Sequence, residues 1–554
     1  MTRAASSDLW WKNAVVYCLD VETFLDWDGD GVGDLAGLTE RIDYLAGIGV
    51  SCLWLMPFYP SPGRDDGYDV TDYYGVDERL GSLGDFVVLV RTAKDRGLRV
   101  IVDLVVNHTS DKHPWFRSAR SSPNSPYRDF YVWRDEKGPQ AEVVFPDAED
   151  SVWTYDERAG QWYLHHFYAH QPDLNIANPE VRDEIARVAG FWLQLGVDGF
   201  RVDAVPYLLQ TGEDGESVNL DPHLLLKELR QFVQRRKGEA VLLGEVNLPP
   251  KPLAKYFGDG PGDEMQMLFA FPVMQAMYLA LARHDARPLR RAMERLPEIP
   301  PICQWANFVR NHDELTLDQL TDKERQEVFD AFGPDPDMQL FDRGLRRRLP
   351  SMLDGDEQRI RLVYSLLFSM PGTPVLYYGE EIGMAENLDI DGRMSVRTPM
   401  QWTDQRNGGF SPVAPSRLRR PVPEGRFGPM AVNVADQRRD PDSLLNWFER
   451  MIRRRRETPE LGMGRCSLLE TGDRAVLAHR VDTEQSAVVA VHNLSDEPRQ
   501  LQVEIGDVEG CECSDLIDAT NGIEIDERGR LSLKLDGYGY RWLRLQRTDR
   551  RTAP

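Results

Sequence analysis

From about residue 14 to residue 380, short apolar runs alternate with amphipathic helical stretches, and this rhythm narrows the available folds more than any other feature. AVVY at 14–17 reads as a strand, and LAGLTERIDYLAGI at 35–48 as the helix that follows it. CLWLMP at 52–57 and a helix near 83–97 repeat the pair. RVIVDLVV at 99–106 is so rich in β-branched residues that both its faces should be buried. An aromatic, proline-punctuated stretch interrupts the pattern over 109–175. The rhythm resumes with helix 179–195, strand 199–203, helix 221–237 and strand 240–245, then strands near 266–271, 306–310 and 375–379. Eight strand–helix units of this kind close into a parallel (β/α)8 TIM barrel.

The other segments attach to that barrel. Residues 1–108 supply its first part, and 109–175 form an inserted, loop-rich domain after strand three. Residues 176–463 complete the barrel, with a charged, helix-rich excursion at 316–354. From 464 to 554 short alternating strands, such as AVLAHRV (475–481) and SAVVAVHNL (486–494), predict an antiparallel β-sandwich. A chain of 554 residues is too long for one core, which agrees with this division. The formal charge of −24 repels nucleic acid and anionic membranes, so a neutral substrate suits the surface better. No stretch approaches the roughly 18 apolar residues of a membrane helix, and the N-terminal residues lack the apolar core of a signal peptide. Six cysteines are too sparse for a disulfide framework. A reduced, cytoplasmic protein is expected, with Cys511 and Cys513 on one face of a strand. The run of arginines at 453–456 is expected to be a solvated helix end.

Polar residues gather where the barrel strands end. Asp103, Asn107 and His108 follow strand three, Arg201 and Asp203 end strand four, Glu245 ends strand five, and Asn311, His312 and Asp313 follow strand seven. In such a barrel the C-terminal strand ends converge on one pocket. A carboxylate there, after an apolar run, costs desolvation unless it is paired. Three of them beside His and Arg suit glycosidic cleavage, where one carboxylate attacks the anomeric carbon and another, kept protonated, donates to the leaving oxygen. Arg201 shares a strand face with Asp203 and is expected to keep it ionised. Glu245 follows the apolar VLLG, where partial burial would raise its pKa towards that of a general acid.

DLVVNH (103–108), GFRVDAV (199–205), LLGEV (242–246) and FVRNHD (308–313) resemble the four conserved blocks of the α-amylase superfamily, and QPDLN (171–175) resembles its fifth. The resemblance implies Asp203 as nucleophile, Glu245 as acid/base and Asp313 as the carboxylate gripping the sugar hydroxyls, with His108, His312 and Arg201 lining the same subsite. PFYPSPGRDDGYDVTDYYG (57–75), NHTSDKHPWF (107–116), NHDELTLDQLTDKER (311–325), RRRLPSMLDGD (346–356) and VRTPMQW (396–402) are similar to the branch of that superfamily that interconverts maltose and trehalose. By analogy Asp65 and Tyr68 bind the terminal glucose, and Arg397 pairs with Asp65 to close the pocket's far end. Relatives commonly carry Arg in the first-strand block where this chain has Glu22, and a different run where it has VNLDPH (218–223).

DWDGDGVGD at 26–34 sets Asp26, Asp28, Asp30 and Asp34 at alternating positions of an EF-hand-like loop, with the Val32 carbonyl as a further donor. The family also binds calcium or magnesium there, so calcium, or magnesium, is expected in this loop. The resemblance implies a second calcium site from Asn107, Asp173 and the Tyr207 and Leu208 carbonyls, with Gln210 in place of the usual Glu. No organic cofactor is expected. Trp115, Phe116, Trp133 and Trp162 are read as core packing rather than sugar platforms. Two catalytic readings stay open, an intramolecular glucosyltransferase and an exo-acting α-glucosidase, both acting on a neutral α-glucoside such as maltose or trehalose. The three intact carboxylates disfavour a third, a non-catalytic barrel-type partner protein. A homo-oligomer is allowed by this reading.

Overall fold

The computed structural model describes residues 6–139, 141–208, 223–506, 511–518, 524–526 and 528–547. The barrel is closed and wholly parallel. Its strands are β1 (Val16–Leu19), β2 (Cys52–Leu55), β3 (Arg99–Leu104), β4 (Gly199–Val202), β5 (Val241–Gly244), β6 (Met267–Phe269), β7 (Gln304–Phe308) and β8 (Thr373–Tyr377). Each strand pairs with its sequence neighbours, and β8 closes onto β1 through Val16 opposite Val375. Nearly every strand residue is buried, as the continuous apolar runs require.

Local chemistry sets where the elements begin and end. In the helix Pro179–Leu195, Pro179 sits in the first turn, the Asn178 side chain accepts from the Glu180 amide, and Gly196 ends the helix at φ +112°. The helix expected over 35–48 is broken at Arg41 into Leu35–Glu40 and Ile42–Ile48. The strand expected over 306–310 starts two residues earlier. This leaves Val309 to Asp313 as a loop that can turn side chains into the barrel mouth.

The insertion carries a three-stranded antiparallel sheet of Trp133–Arg134, Gln161–Leu164 and Trp153–Asp156. Bridges between His108 and Asp173 and between Tyr131 and Leu174 tie it back to the end of β3. Phe116 stacks on Trp133 at 5.5 Å, and Trp115 packs edge-on against Phe130, so these rings are core, as expected. The excursion at 316–354 is less helical than its charge pattern suggests. It contains the helix Asp322–Phe332 and a small sheet of Leu315–Thr316, Gly344–Leu345 and Gln339–Leu340.

The C-terminal part is the expected sandwich. One sheet runs β9 (Arg465–Leu468), β10 (Val476–Asp482), β11 (Ser486–Asn493), β16 (Tyr540–Arg547) and β13 (Cys511–Asp515). The other runs β12 (Arg499–Glu504), β15 (Arg530–Leu535) and β14 (Glu524–Ile525). It docks on the barrel helix Glu357–Ser369, where His492 Nε2 meets Ser365 Oγ at 2.9 Å and Trp542 donates to the same oxygen at 3.1 Å. All six cysteines are free. The arginine run corrects one expectation. Arg453, Arg454 and Arg456 are exposed, but Arg455 is fully buried and donates to the Gly372 carbonyl, because the helix Leu444–Arg456 turns that position onto the barrel.

Beyond β8, Glu380 is buried, and burial pushes its carboxyl up to about 8 against a bond from the Tyr377 amide and the nearby Tyr364, Arg348 and Arg310. A folded-state pKa above the unfolded one means that the fold prefers the protonated form. The stability that Glu380 contributes is therefore fully present below its unfolded-state pKa and is lost as pH rises towards 8. Glu380→Gln should flatten that loss by on the order of 3–5 kcal/mol between pH 5 and 8. Thermal melts of both proteins across that range check this; parallel curves refute it.

Candidate active site

One buried cation organises the barrel mouth. The Arg201 side chain is 1% exposed, and its fork reaches Asp103 and Asp203 through Nη1, both at 2.5 Å, and Glu245 through Nη2 at 2.6 Å. Asp103 is held from its other side by Trp54 Nε1 at 2.7 Å. Strand β4 delivers Arg201 and Asp203 to the same face, and β5 ends one residue before Glu245. The Glu245 amide bonds to the Val202 carbonyl across the two strands. Ala204, directly after Asp203, takes φ +49°, a left-handed conformation that turns the chain sharply at this point.

The second centre is Asp313. Arg393 Nη1 and Arg397 Nη2 bind one of its oxygens at 2.8 and 2.9 Å, and His312 Nε2 meets the other at 3.2 Å. The Tyr68 hydroxyl lies 2.6 Å from His312 Nε2, with the two rings stacked, and 3.4 Å from Arg201 Nη1. Tyr68 therefore sits between His312 and the Arg201 guanidinium. His108 Nε2 contacts the Tyr68 carbonyl at 3.2 Å.

The pairing expected at the closed end is corrected. Arg397 binds Asp66 at 2.5 Å, and Arg393, one short helical turn earlier, binds Asp65 at 2.5 Å. The backbone is the reason. Asp66 has φ +53°, so the adjacent carboxylates diverge, Asp65 into the cavity and Asp66 behind it. Gln171 also donates to Asp65, at 2.8 Å; it opens QPDLN, but nothing in the linear sequence announces that partner.

Asp65, Tyr68, His108, Asp203, Glu245, Asp313 and Arg393 line one cavity of about 440 Å3, within the range of small-molecule pockets. Arg201, His312 and Arg397 support it from behind, all 0% exposed. The insertion adds Phe145 and Phe167 to the cavity wall, and Glu314 joins Thr316, Asp318 and Arg343 of the excursion in it. These two walls meet where Phe145 packs on Phe341 at 5.1 Å. Asn247, after β5, ties to the excursion through Asp318 at 2.8 Å.

The electrostatics sort the three carboxylates. Burial pushes Glu245 up to about 7, with Arg201 opposing and Asp203 and Asp313 adding to the rise. Its side chain keeps 20% of its surface open to the cavity. Burial pushes Asp203 up to about 6, so Arg201 offsets the desolvation only in part. Burial would raise Asp313 as well, but His312, Arg393 and Arg397 hold it well below the usual carboxylate range. Near neutral pH one group is poised to donate a proton and two are ionised, the division that retaining cleavage needs. A single guanidinium spanning Asp203 and Glu245 is in keeping with the short separation of about 5–5.5 Å in retaining pairs.

Two cation sites were expected. In the first loop Asp26, Asp28 and Asp34 bring carboxylate oxygens within 4.8 Å of one another, the only such cluster among the described residues. Asp30 is not in that group: it is exposed, and its carboxylate caps the Val32 amide at 2.7 Å. At the second, Asp173 accepts from Asn107 at 3.2 Å and pairs with His166, which the sequence reading did not single out. Tyr207 and Leu208 end the short helix Val205–Leu208, while Gln210 and residues 218–222 lie outside the described residues.

A family model described as the α-amylase catalytic domain matches residues 20–331 and 344–464, and a sucrose hydrolase-like C-terminal domain matches 486–544. The chain is 43% identical to a trehalose synthase of Pimelobacter sp., covering 98% of this chain and 97% of that one. It is 43% identical to a trehalose synthase/amylase of Mycolicibacterium smegmatis, covering 98% and 93%. Among solved structures, the trehalulose synthase MutB superposes with a TM-score of 0.76 at 27% identity, over 97% of this chain and all of that one.

If Asp203 is the nucleophile, needed ionised, and Glu245 the acid, needed protonated, kcat/KM should fall below about pH 6 and above about pH 7. In Glu245→Gln, assayed with α-glucosyl fluoride, whose leaving group needs no proton, the alkaline limb should vanish. An alkaline limb unchanged in that variant would exclude Glu245 as the acid.

Proposed function

The chain belongs to the α-amylase family, and from that premise we propose an intramolecular α-glucosyltransferase that interconverts maltose and trehalose. One observation carries the reading. The cavity is shut behind the glucose position by Arg393 on Asp65 and Arg397 on Asp66, so one terminal glucose fits and no longer chain can pass through. The near full-length similarity to trehalose synthases agrees with that shape.

In the proposed reaction Asp203 attacks the anomeric carbon as Glu245 gives its proton to the glycosidic oxygen, leaving a β-glucosyl ester and a free glucose. The released glucose turns within the cavity and presents its anomeric hydroxyl. Glu245 takes that proton, the oxygen attacks the ester carbon, and Asp203 leaves as a carboxylate. Each inversion cancels the other, so the α configuration is kept. Asp313 and Asp65, both paired with arginine, accept bonds from the sugar hydroxyls, while His312, kept neutral by burial, holds Asp313 from behind through Nε2, and His108, likewise neutral, holds the Tyr68 carbonyl.

We also place a calcium or magnesium ion in the first loop. Three carboxylates converge there, and the carboxyl of Asp28 is raised by its partial burial and by the charges of Asp30 and Asp26, a repulsion that a cation relieves. Such an ion would act as a structural tie. The Asn107 and Asp173 set is satisfied within the chain by His166, so no second ion is part of this reading. The reduced cysteines and the acidic surface fit a cytoplasmic setting, and no described helix is long and apolar enough to cross a membrane.

Incubated with maltose, the protein should form trehalose reversibly with glucose as a minor by-product. Labelled glucose in the medium should enter the disaccharide poorly, because the caged glucose recombines first. Glucose as the main product at every time point, with no trehalose, would replace this reading with α-glucosidase activity by the same carboxylates. Saturating Ca2+ should raise the melting temperature of a chelator-treated sample and leave that of Asp26→Asn unmoved, since an ion bound by the folded state alone stabilises by mass action. Identical melts with and without the ion would remove it.

A further inference from the structure

We propose that Arg420, which lies outside the cavity and every motif quoted above, is a positioning residue for the glucose pocket: it secures the Asp66 turn and thereby Arg397 on Asp313. The effect on glucose release rests on the isomerase reading; the effect on ligand affinity does not.

The Asp65–Tyr68 turn needs outside support. Asp66 holds φ +53°, an uncommon conformation for a residue with a side chain, and Gly67 follows at φ +93°, where a Cβ would meet the Pro57 carbonyl at 2.6 Å. The two ends of this turn, Asp65 and Tyr68, face the cavity. Asp66 faces away from it, its side chain 2% exposed, into a space filled by Arg397 and Arg420.

Arg420 is built into that space from several directions. Its Nη1 donates to the Arg397 carbonyl at 3.0 Å and meets Asp20 at 3.4 Å. Its Nη2 pairs with Asp66 and, at 3.3 Å, with Glu22. Only a planar fork divides its donors among four acceptors in this way; a lysine ammonium keeps the charge and loses the arrangement. The segment that carries Arg420 is itself tied down. Asp26 bonds to the Phe410 carbonyl at 3.0 Å and accepts from Ser411 Oγ at 2.6 Å, and the Arg419 amide bonds to Gly31 at 3.3 Å. The acidic loop at 26–34 thus braces the strap whose last residue reaches behind the pocket.

The charges explain why this contact acts on Asp313. Asp20, Glu22 and Asp66 crowd around Arg420, with Arg79 and Arg419 on the outer side of Glu22. Arg397 is shared, with Nη1 on Asp66 at 2.5 Å and Nη2 on Asp313 at 2.9 Å. Without Arg420, Asp66 keeps Arg397 as its one direct cation, and the uncompensated carboxylates draw Arg397 away from Asp313. The blind wall of the pocket then loosens where glucose must be gripped. This also gives Glu22 a place: it is matched by arginines of this chain and does not face the cavity.

The test compares the full-length wild type with Arg420→Lys, Arg420→Met and, as a control for charge alone, Arg419→Met. Two readouts are used: calorimetric affinity for 1-deoxynojirimycin, a protonated glucose-sized ring, and the ratio of free glucose to trehalose formed from maltose. Arg420→Lys should weaken the ligand about tenfold and raise the glucose ratio severalfold, while its melting temperature stays within about 5 °C of wild type. Arg420→Met should go further on both readouts, and Arg419→Met should change neither. Wild-type affinity and product ratio in Arg420→Lys, or an equal shift in Arg419→Met, would overturn the proposal. If the wild type makes no trehalose, the isomerase reading fails, and the inhibitor affinities still decide the role of Arg420.

Discussion

Everything at the barrel mouth depends on Arg201, one fully buried guanidinium shared by Asp103, Asp203 and Glu245. Three carboxylates against one direct cation is an unbalanced set, and in a buried site that imbalance is met by proton uptake. Asp203 has only its share of Nη1, Asp103 adds Trp54, and Glu245 has Nη2 and a 3.4 Å bond from the Ala204 amide. Burial raises all three carboxyls against that support, Glu245 to about 7 and Asp103 and Asp203 to about 6. A proton-bearing Glu245 near neutral pH is thus a result of desolvation that one shared guanidinium offsets only in part.

Asp313 shows the opposite arrangement. Two arginines and a histidine surround it, so it stays charged where Glu245 does not. Tyr68 and His312 separate the two centres with stacked rings that carry few charges of their own, since burial disfavours both the tyrosinate and the imidazolium. A sugar ring lying between them meets fixed charge on one side and a proton donor on the other. Those dipoles and charges are in place before substrate arrives, which is the arrangement that lowers reorganisation in the transition state.

Much of this was legible in the linear chain because barrel geometry turns position into proximity. A polar residue that ends an apolar run can only be at the mouth, so Asp203, Glu245 and Asp313 could be placed together before any distance was known. Pairing was less legible. DDGY offers two adjacent acids, and the choice between them for Arg397 turns on the φ of Asp66, which nothing in the sequence encodes directly. Arg393 sits in an ordinary DGRMS stretch, and Arg420 is the second arginine of a pair 90 residues or more from any catalytic block. Arg455 was misjudged for a related reason: in a run of four arginines helical phase alone decides which is buried. Asp30, expected beside Asp26, Asp28 and Asp34, caps the Val32 amide instead of joining their carboxylate cluster, and no spacing rule in the sequence separates it from them.

The catalytic floor is common ground for cleavage by water and for transfer to sugar, so the outcome must lie in the walls. After cleavage the ester faces two acceptors, solvent water at about 55 M and one glucose held beside it, and an intramolecular partner can act at an effective concentration of 10⁵ M or more when well oriented. The glucose therefore prevails whenever it stays resident longer than the ester survives and finds its second orientation. Residence is governed by the far residues: Phe145 and Phe167 from the insertion, Glu314 just before the excursion, Thr316, Asp318 and Arg343 within it, the contact of Phe145 with Phe341 that joins the two walls, and the bond from Asn247, after β5, to Asp318. These walls are polar at one face and aromatic at the other. That pairing can hold a ring in more than one pose, whereas a set of hydrogen bonds specific to one pose would trap it. A wall that gripped the leaving glucose as firmly as the attached one must be held would prevent the rotation and favour hydrolysis, so isomerisation requires a second subsite that encloses its sugar more than it binds it.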